Sequence, residues 1–337
     1  MQKFIAYTVK GLEEIAKDEL LQLAPNAEVL ETGPKRIIFQ HDEAKPLLKL
    51  TTVDDSGLLV GQDKSSDNDE ITSNILELSF DQARNLISNL RKVEDTFSVT
   101  VSKARAKINT DELQEKVSNA LSTKYGWKYT KLEHSNFDVR IFIDKDDVCV
   151  SVRLTEKPLF HRDYKTTSII GALRPTIASA MIKLATKGVR GLVVDNFCGS
   201  GTILAEAFNA GNEVYGSDIS SEAVNACKAT LSNMSYKVEG KVKEQDATKT
   251  NWPDNSFDFA ISNLPWDKQI GVDSITNLYI GTLSEYARII RQSGSICLLV
   301  SNPDLLIKYA KKYFPNRKID RLTIGLLGQK PTIVTIS

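Results

Sequence analysis

Hydrophobic and polar positions recur with different periods along this chain, and the changes of period predict its elements. In the first third, apolar residues three or four positions apart predict a helix over residues 12–23. Extended runs at 4–9, 27–30, 36–40 and 58–62 predict strands around it. This order of strands and a helix predicts an α+β unit of modest size over residues 1–64.

The pattern changes at residues 63–70, where polar residues cluster, and we interpret this stretch as a linker or loop. Beyond it, the periodicity predicts a helix at 81–90, a strand at 97–101, a helix capped by Thr110 that runs to about 124, and a hairpin of strands at 138–143 and 148–154. These elements predict a second small α+β unit over residues 65–155, followed by a polar, basic linker over 156–172.

From Gly191 onward, strands and helices alternate. Strands are predicted at 192–195, 213–217, 241–244, 257–262 and 295–301, and helices at 202–209, 222–233, 275–291 and 304–313. A further helix at 173–187 precedes them, and runs at 322–327 and 332–336 predict an antiparallel edge hairpin. The alternation predicts an α/β domain over 173–337 with a doubly wound parallel sheet, which binds ligands at the carboxyl ends of its strands.

Composition adds little to this picture. The 337 residues suit two or three domains, and 41% hydrophobic and 26% charged residues are typical of a soluble globular protein. Lys+Arg and Asp+Glu both total 43, so polyanion binding would have to come from local patches. The four cysteines lack the spacing of a zinc site or a disulfide framework, and no apolar run approaches the ~18 residues that span a membrane. We expect a soluble, cytoplasmic protein without a metal.

In the region from Gly191 onward, where strands and helices alternate, acidic residues follow three successive strands. The first of them lies beside a glycine turn. Asp195 ends the first strand, and the turn continues through Cys198, Gly199, Ser200, Gly201 and Thr202. Asp218 with Ile219 follows the second strand, where an acid accepts hydrogen bonds from ribose hydroxyls, and Asp246 with Ala247 follows the third. The turn begins with an acid and has no basic residue, so it suits a cationic, amino-acid-bearing ligand better than a phosphate. The prediction is S-adenosylmethionine; the alternative is a tight turn with incidental acids.

Asn263, Leu264, Pro265 and Trp266 follow the fourth strand and resemble the [DN]-P-P-[FYW] motif of methyltransferases that act on exocyclic amines of nucleobases. The Asn263 side-chain oxygen and the Leu264 carbonyl can accept the N–H bonds of such an amine and aim it at a methyl group. Pro265 stiffens the turn, and Trp266 offers a ring face to a flipped base. Asp267 comes next and contacts the base or faces water. The alternative is a strand-ending turn with a packed tryptophan.

With these motifs in place, residues 171–337 resemble the Rossmann-fold RNA methyltransferases that act on guanine N2. Residues 65–155 look like a THUMP domain, and residues 1–64 look like the ferredoxin-like domain that usually precedes it. The resemblance implies that the THUMP unit grips the acceptor end of a tRNA while the catalytic domain methylates a guanosine in the same RNA. It also places Arg174 and Thr176 near the cofactor or target pocket, although a role at the helix start is equally open.

Basic residues supply candidate RNA contacts. Lys103, Arg105 and Lys107 alternate, so in an extended chain they point to one side and suit a phosphate backbone. The alternative is a solvated strand face. Arg162 and Lys165 in the linker are further candidates. We expect a monomeric tRNA methyltransferase; the alternatives are an rRNA guanine-N2 or DNA adenine-N6 methyltransferase, or a non-catalytic RNA-binding protein with a degenerate methyltransferase fold.

Overall fold

The computed structural model describes residues 1–131, 135–165, 172–266, 272–326 and 328–337. It contains two compact units: an N-terminal unit of residues 1–8 and 13–160, and a C-terminal unit of residues 9–12 and 161–337. No helix in the described ranges has both the length and the apolar character needed to cross a membrane.

The N-terminal unit is built on one eight-stranded sheet. Its strands are β1 (Gln2–Tyr7), β2 (Glu28–Gly33), β3 (Arg36–His41), β4 (Asp55–Lys64), β5 (Thr96–Lys103), β6 (Lys128–Tyr129), β7 (Asp138–Asp144) and β8 (Asp147–Arg153), in the order β2-β3-β1-β4-β8-β7-β5-β6. Only β5 is paired in parallel, with β6 and with β7. The helices are α1 (Glu13–Leu23), α2 (Asn68–Glu77), α3 (Asp81–Ser88) and α4 (Thr110–Tyr125), and they share one apolar core with the sheet.

The predicted boundary after residue 64 does not separate two sheets, because β4 pairs with β8 along its length. The stretch 63–70 was wrongly predicted to be a linker or loop. Asp63 extends β4, and the Asp67 carboxylate accepts hydrogen bonds from the backbone N–H groups of Asp69 and Glu70, both at 2.9 Å, at the start of α2. Residues that cap helices are also loop formers, so composition alone does not distinguish the two structures.

The cap of α4 is also displaced by one residue from the prediction. Asn109, and not Thr110, accepts hydrogen bonds from the N–H groups of Asp111 and Glu112, at 3.2 and 3.3 Å. Asparagine and threonine are both common N-cap residues, and the two lie side by side here. The prediction of the helix itself is confirmed.

The C-terminal unit contains a seven-stranded sheet. Its strands are β9 (Leu192–Asp195), β10 (Glu213–Asp218), β11 (Val242–Glu244), β12 (Phe257–Asn263), β13 (Ile290–Val300), β14 (Ile319–Thr323) and β15 (Thr332–Ile336), in the order β11-β10-β9-β12-β13-β15-β14. The pairs from β11 to β13 are parallel, and β15 is antiparallel to both β13 and β14. The helices are α5 (Pro175–Thr186), α6 (Thr202–Asn209), α7 (Ser221–Asn233), α8 (Val272–Ile289) and α9 (Pro303–Tyr313).

This sheet confirms the predicted α/β fold with an antiparallel edge pair. The strand predicted at 322–327 is wrong in its bounds, since β14 ends at Thr323. Beyond Thr323 the two chain segments stay in contact only at single positions: the Ile324 N–H donates to the Pro331 carbonyl at 2.9 Å, and Leu326 forms an isolated bridge with Gln329. Between them the Gly325 N–H donates to the carbonyl of Lys10 at 2.8 Å, and Leu327 lies outside the described residues. Strand order reverses at β9, whose neighbours are β10 and β12. Ligands of such sheets bind in the crevice at this point, beyond the carboxyl ends of the strands.

Candidate active site

The glycine turn between β9 and α6 is packed on one side and open on the other. Gly199 and Gly201 have φ values of +49° and +85°, a left-handed conformation that disfavours side chains. A Cβ atom added to Gly201 would lie 2.9 Å from the Cys227 sulfur, whereas one added to Gly199 would meet no atom of the described residues within 4 Å. The backbone at Gly199 therefore borders open space in which a ligand would fit.

Asp218, at the end of β10, lies beside this opening. One carboxylate oxygen accepts the Gly199 N–H at 2.9 Å, and the other accepts the Ser220 N–H at 3.1 Å. The carboxylate is thus fixed against the turn while the residue stays half-buried. The adjacent Ile219 is 75% exposed, unusual for an isoleucine. A fixed acid beside an exposed apolar side chain suits a ribose joined to an aromatic base.

Asp246, which follows β11, is bonded locally. Its Oδ1 atom accepts hydrogen bonds from both the backbone N–H and the hydroxyl of Thr248, at 2.8 and 2.7 Å. The residue is exposed, and its neighbour Ala247 is buried. Asp246 therefore shapes its own turn, and a contact between this pair and an adenine ring stays a prediction.

Asp195 is buried at the end of β9. Its Oδ1 atom accepts hydrogen bonds from the Ser262 hydroxyl at 2.6 Å and from the Phe197 N–H at 3.0 Å. Burial raises the pKa of the Asp195 carboxyl to about 7, and these hydrogen bonds only partly oppose the rise. The Ser262 hydroxyl also bonds the Tyr286 hydroxyl of α8 at 2.7 Å. The network thus joins the glycine turn to the residue before Asn263.

Asn196 is a candidate ligand contact that the sequence analysis did not single out. It is 1% exposed, and its Oδ1 atom accepts from the Ser217 hydroxyl at 3.1 Å and from the indole N–H of Trp252 at 3.2 Å. Its Nδ2 atom has no hydrogen-bond partner among the described residues. Buried amide groups are nearly always satisfied, so this donor indicates a missing partner such as a ligand oxygen or a water.

The predicted amine-binding motif begins at the last residue of β12. Ala260 pairs with Val194 of β9, so Asn263, three residues further on, lies at the carboxyl edge beside the glycine turn. The indole N–H of Trp266 donates to the Asn263 Oδ1 atom at 3.3 Å, which orients the amide. Leu264 is fully buried, and its N–H donates to the Leu299 carbonyl at 3.1 Å.

Other predicted site residues have mainly structural surroundings. Ser200 and Thr202 are buried in the turn. The Cys198 thiol lies against that of Cys227, and this contact together with burial raises its pKa well above the usual value. The Cys198 side chain therefore faces the interior. Asp267 and Gly171, the first residue of the range that resembles the methyltransferases, lie outside the described residues.

The three alternating cations of the N-terminal unit are not equivalent. β5 ends at Lys103, whose ammonium donates to the Ile108 carbonyl at 2.6 Å. Arg105 forms a two-pronged ion pair with Asp144 at the tip of the β7–β8 hairpin, at 2.7 and 2.5 Å. Lys107 is exposed and has no ion pair within the described ranges. All three side chains are exposed, but two of them are already engaged.

Both linker cations are bound into the C-terminal unit. The Arg162 guanidinium pairs at 2.9 Å with the buried carboxylate of Glu206, which also accepts from the hydroxyls of Tyr164, at 2.6 Å, and Ser179. The Lys165 ammonium donates to a backbone carbonyl, and burial lowers its pKa, with the charge of Arg174 acting in the same direction. These contacts hold the linker against α5 and α6, a role that sequence spacing did not indicate.

A basic and aromatic surface in the N-terminal unit was missed. Residues 124–131 read Lys-Tyr-Gly-Trp-Lys-Tyr-Thr-Lys, and we call them the β6 segment because they contain that edge strand. The Trp127 ring stacks on the preceding tyrosine at 4.4 Å, and Tyr129 is 41% exposed. Lys128 and Lys131 are exposed and form no ion pair with any described residue. The clustering of three lysines and three aromatic residues within eight positions was the available signal.

Comparison with known proteins agrees with this geometry. The family model of UPF0020, an RMKL-like methyltransferase domain, matches residues 162–327. The chain is 29% identical over 201 residues to the U6 snRNA (guanine-N(2))-methyltransferase THUMPD2 of Mus musculus, covering 58% of this chain and 36% of that protein. It is 27% identical over 201 residues to the tRNA (guanine(6)-N2)-methyltransferase of Thermus thermophilus, covering 58% of each. The chain thus spans only part of the relatives it matches.

The likeness in fold extends over both units. The crystal structure of TrmN from Thermus thermophilus matches with a TM-score of 0.77 at 22% identity, covering 100% of this chain and 99% of that one.

Proposed function

We propose that this chain, whose residues 162–327 match the family model of UPF0020, an RMKL-like methyltransferase domain, transfers a methyl group from S-adenosylmethionine to the exocyclic N2 amine of a guanosine in tRNA. The observation that carries the proposal is the position of Asn263, at the carboxyl end of a strand that neighbours β9 and its open glycine turn. A cofactor crevice and an amine acceptor at one sheet edge fit this transfer.

The residues around the glycine turn fit the proposed cofactor. When bound, S-adenosylmethionine supplies an electrophilic methyl group. The Asp218 carboxylate would accept hydrogen bonds from the ribose hydroxyls, and the exposed Ile219 side chain would cover one face of the adenine. The unpaired amide nitrogen of Asn196 offers a donor to a carboxylate, and the open space beside Gly199 leaves room for the ligand. The buried Asp195 contributes the negative charge that favours a cationic ligand at this edge.

The catalytic residues act by orientation and polarity. The lone pair of an exocyclic amine is delocalised into its ring, so the amine must be turned toward the methyl group and stabilised as its nitrogen becomes tetrahedral. The Asn263 oxygen and the Leu264 carbonyl accept its two N–H bonds, and Trp266 supports the base from one face. The proton leaves after transfer, so no strong base is required.

RNA binding is assigned chiefly to the N-terminal unit. It carries the β6 segment and the exposed cation Lys107, and residues 65–155 take the role of a THUMP domain that grips the acceptor end. Residues 1–64 follow the order of a ferredoxin-like unit, with the short 3-10 helix Lys45–Lys49 between β3 and β4. We place the enzyme in the cytoplasm, acting as a monomer on its RNA.

A transfer assay with labelled S-adenosylmethionine tests the proposal directly. We expect the purified chain to label unmodified tRNA, and nucleoside mass spectrometry of the product to detect N2-methylguanosine. Ribosomal RNA, U6 RNA and adenine-containing DNA serve as parallel substrates. Labelling of any of these in place of tRNA would reject tRNA as the substrate. Cofactor binding without transfer to any nucleic acid would leave the alternative of a non-catalytic RNA-binding protein.

A further inference from the structure

Positive charge is concentrated at the C-terminal end of a chain that is neutral as a whole. Residues 292–337 contain seven lysines and arginines but only two acids, Asp304 and Asp320. Both acids are paired, Asp304 with Arg321 at 3.1 Å and Asp320 with Lys318 at 2.8 Å. The remaining positive charge in this region is therefore carried by the other five cations, Lys308, Lys311, Lys312, Arg317 and Lys330.

Three of these cations lie on one exposed face of α9. Lys308, Lys311 and Lys312 are three and four residues apart, the spacing that aligns side chains on a helix. All three are exposed, and none forms an ion pair with a residue that the structure describes. The opposite face of the helix is fixed in the core by Leu306 and Ala310, both fully buried. We call the three lysines the α9 face.

Aromatic rings accompany these cations. The Lys308 ammonium lies 5.4 Å from the ring centre of Tyr309, and the Lys312 ammonium lies 6.0 Å from that of Tyr313. Both tyrosines are half-buried. Lysines in a last helical turn also favour the helix dipole, but Lys308 lies a full turn earlier, so this effect does not explain the whole face.

The helix α9 follows the strand that pairs with the proposed catalytic motif. Asn263 pairs with Leu299 on β13, and α9 begins at Pro303, just beyond the end of that strand. At a rise of about 1.5 Å per residue, Lys308 and Lys312 lie about 8 and 14 Å along the helix from its start. These cations therefore extend away from the edge of the sheet where a target nucleotide would enter.

We propose that the α9 face binds the phosphate backbone of the RNA substrate, giving the catalytic unit its own hold on the RNA. The proposal rests on the proposed function, because its partner is the RNA that the enzyme methylates. Phosphates match three unpaired cations in charge, and such contacts position a nucleic acid without reading its sequence. The C-terminal unit then contributes to RNA affinity as well as chemistry.

The test is the double variant Lys308→Ala/Lys312→Ala, compared with Lys45→Ala/Lys49→Ala. The control pair is also exposed, also four residues apart and also helical, but it belongs neither to the β6 segment nor to residues 65–155, to which the RNA contacts of the N-terminal unit are assigned. Removing one lysine that neutralises a phosphate should reduce the slope of log affinity against log salt by about 0.7–0.9. We expect the α9 variant to bind unmodified tRNA with a slope smaller by about 1.4–1.8, and the control pair to keep the parent's slope.

Kinetics separate this role from a structural one. For the α9 variant we expect KM for tRNA to rise several-fold with kcat and S-adenosylmethionine affinity unchanged, and circular dichroism to match the parent. An α9 variant with the parent's salt slope and KM would overturn the inference while leaving the proposed function intact. A parent protein that does not methylate tRNA would instead reject the proposed function. The salt slopes of tRNA binding by the parent and the α9 variant would then still test the α9 face, because they do not require methyl transfer.

Discussion

At the scale of single residues, replacing Asp218 tests the predicted cofactor site. The Asp218 carboxylate is fixed by two backbone N–H groups at the opening of the glycine turn. We expect Asp218→Ala to weaken S-adenosylmethionine binding by about 1.5–3 kcal/mol, the range for hydrogen bonds to a charged group. Calorimetry measures this, with Asp304→Ala, an exposed acid of α9, as the control. Unchanged affinity in a folded Asp218→Ala protein would remove this residue from the site.

The raised pKa of Asp195 predicts that the stability of the folded protein depends on pH. The pKa is raised from 3.8 to about 7 by burial, so the native state keeps a proton that the unfolded state has already released. The stability that this residue contributes is therefore present below pH 4 and is lost as the pH rises to about 7. Asp195→Asn should remove this decline, which thermal unfolding at pH 5 and pH 8 would measure.

The same ionisation should affect cofactor binding in the parent enzyme. Below pH 7 the Asp195 carboxyl is neutral and attracts a cationic ligand less, so the affinity for S-adenosylmethionine should rise between pH 6 and 8 and then level off. The Asp195→Asn variant should lack this rise. An affinity that is equal at both pH values in the parent would show that the charge of Asp195 is not felt by the cofactor.

Asn263 separates chemistry from binding. In our interpretation it contacts only the target amine, so Asn263→Ala should keep the affinities for cofactor and RNA within a few-fold while single-turnover transfer falls about 10²–10³-fold. Asn263→Asp keeps an acceptor oxygen and should retain far more of the rate. Near-normal transfer by a folded Asn263→Ala enzyme would refute the assignment of this motif as the amine-binding site.

At the scale of elements, the two glycines of the turn should respond differently to alanine. Gly201→Ala would bring its Cβ within 2.9 Å of the Cys227 sulfur, so it should lower the free energy of unfolding as well as cofactor affinity. At Gly199 the added methyl meets only open space, and the main structural cost is the left-handed φ, about 1 kcal/mol. Gly199→Ala should therefore mainly weaken cofactor binding. Thermal unfolding and calorimetry, measured on both variants, distinguish the two effects.

The elements of the C-terminal unit were well predicted where hydrophobic period and turn chemistry agree. β9 and α6 have the predicted bounds, because a buried apolar strand, a glycine turn and an amphipathic helix follow one another there. α2 was missed, since its polar first turn resembles a loop. The engaged states of Arg105 and Arg162 were also not predictable, because Asp144 and Glu206 are 39 and 44 residues away along the chain.

At the scale of the whole molecule, sequence predicted the type of each unit more readily than long-range pairing. The join between β4 and β8 merges two predicted domains into one sheet, and no local pattern encodes a pairing between segments so far apart. The distribution of charge over the surface was also not predicted from the sequence. A total of zero concealed a basic C-terminal region and an aromatic, basic β6 segment, both visible only when charges are placed on surfaces.

These two surfaces lead to a prediction for the chain as a whole. If the β6 segment and the α9 face contact different phosphates of one RNA, their contributions to the salt dependence of binding are independent. Lys128→Ala/Lys131→Ala and Lys308→Ala/Lys312→Ala should each reduce the log–log slope by about 1.4–1.8, and the fourfold variant by about twice that amount. Filter binding of unmodified tRNA across a salt series measures all three. A fourfold variant no weaker than either double variant would mean that the two surfaces do not hold the same RNA at once.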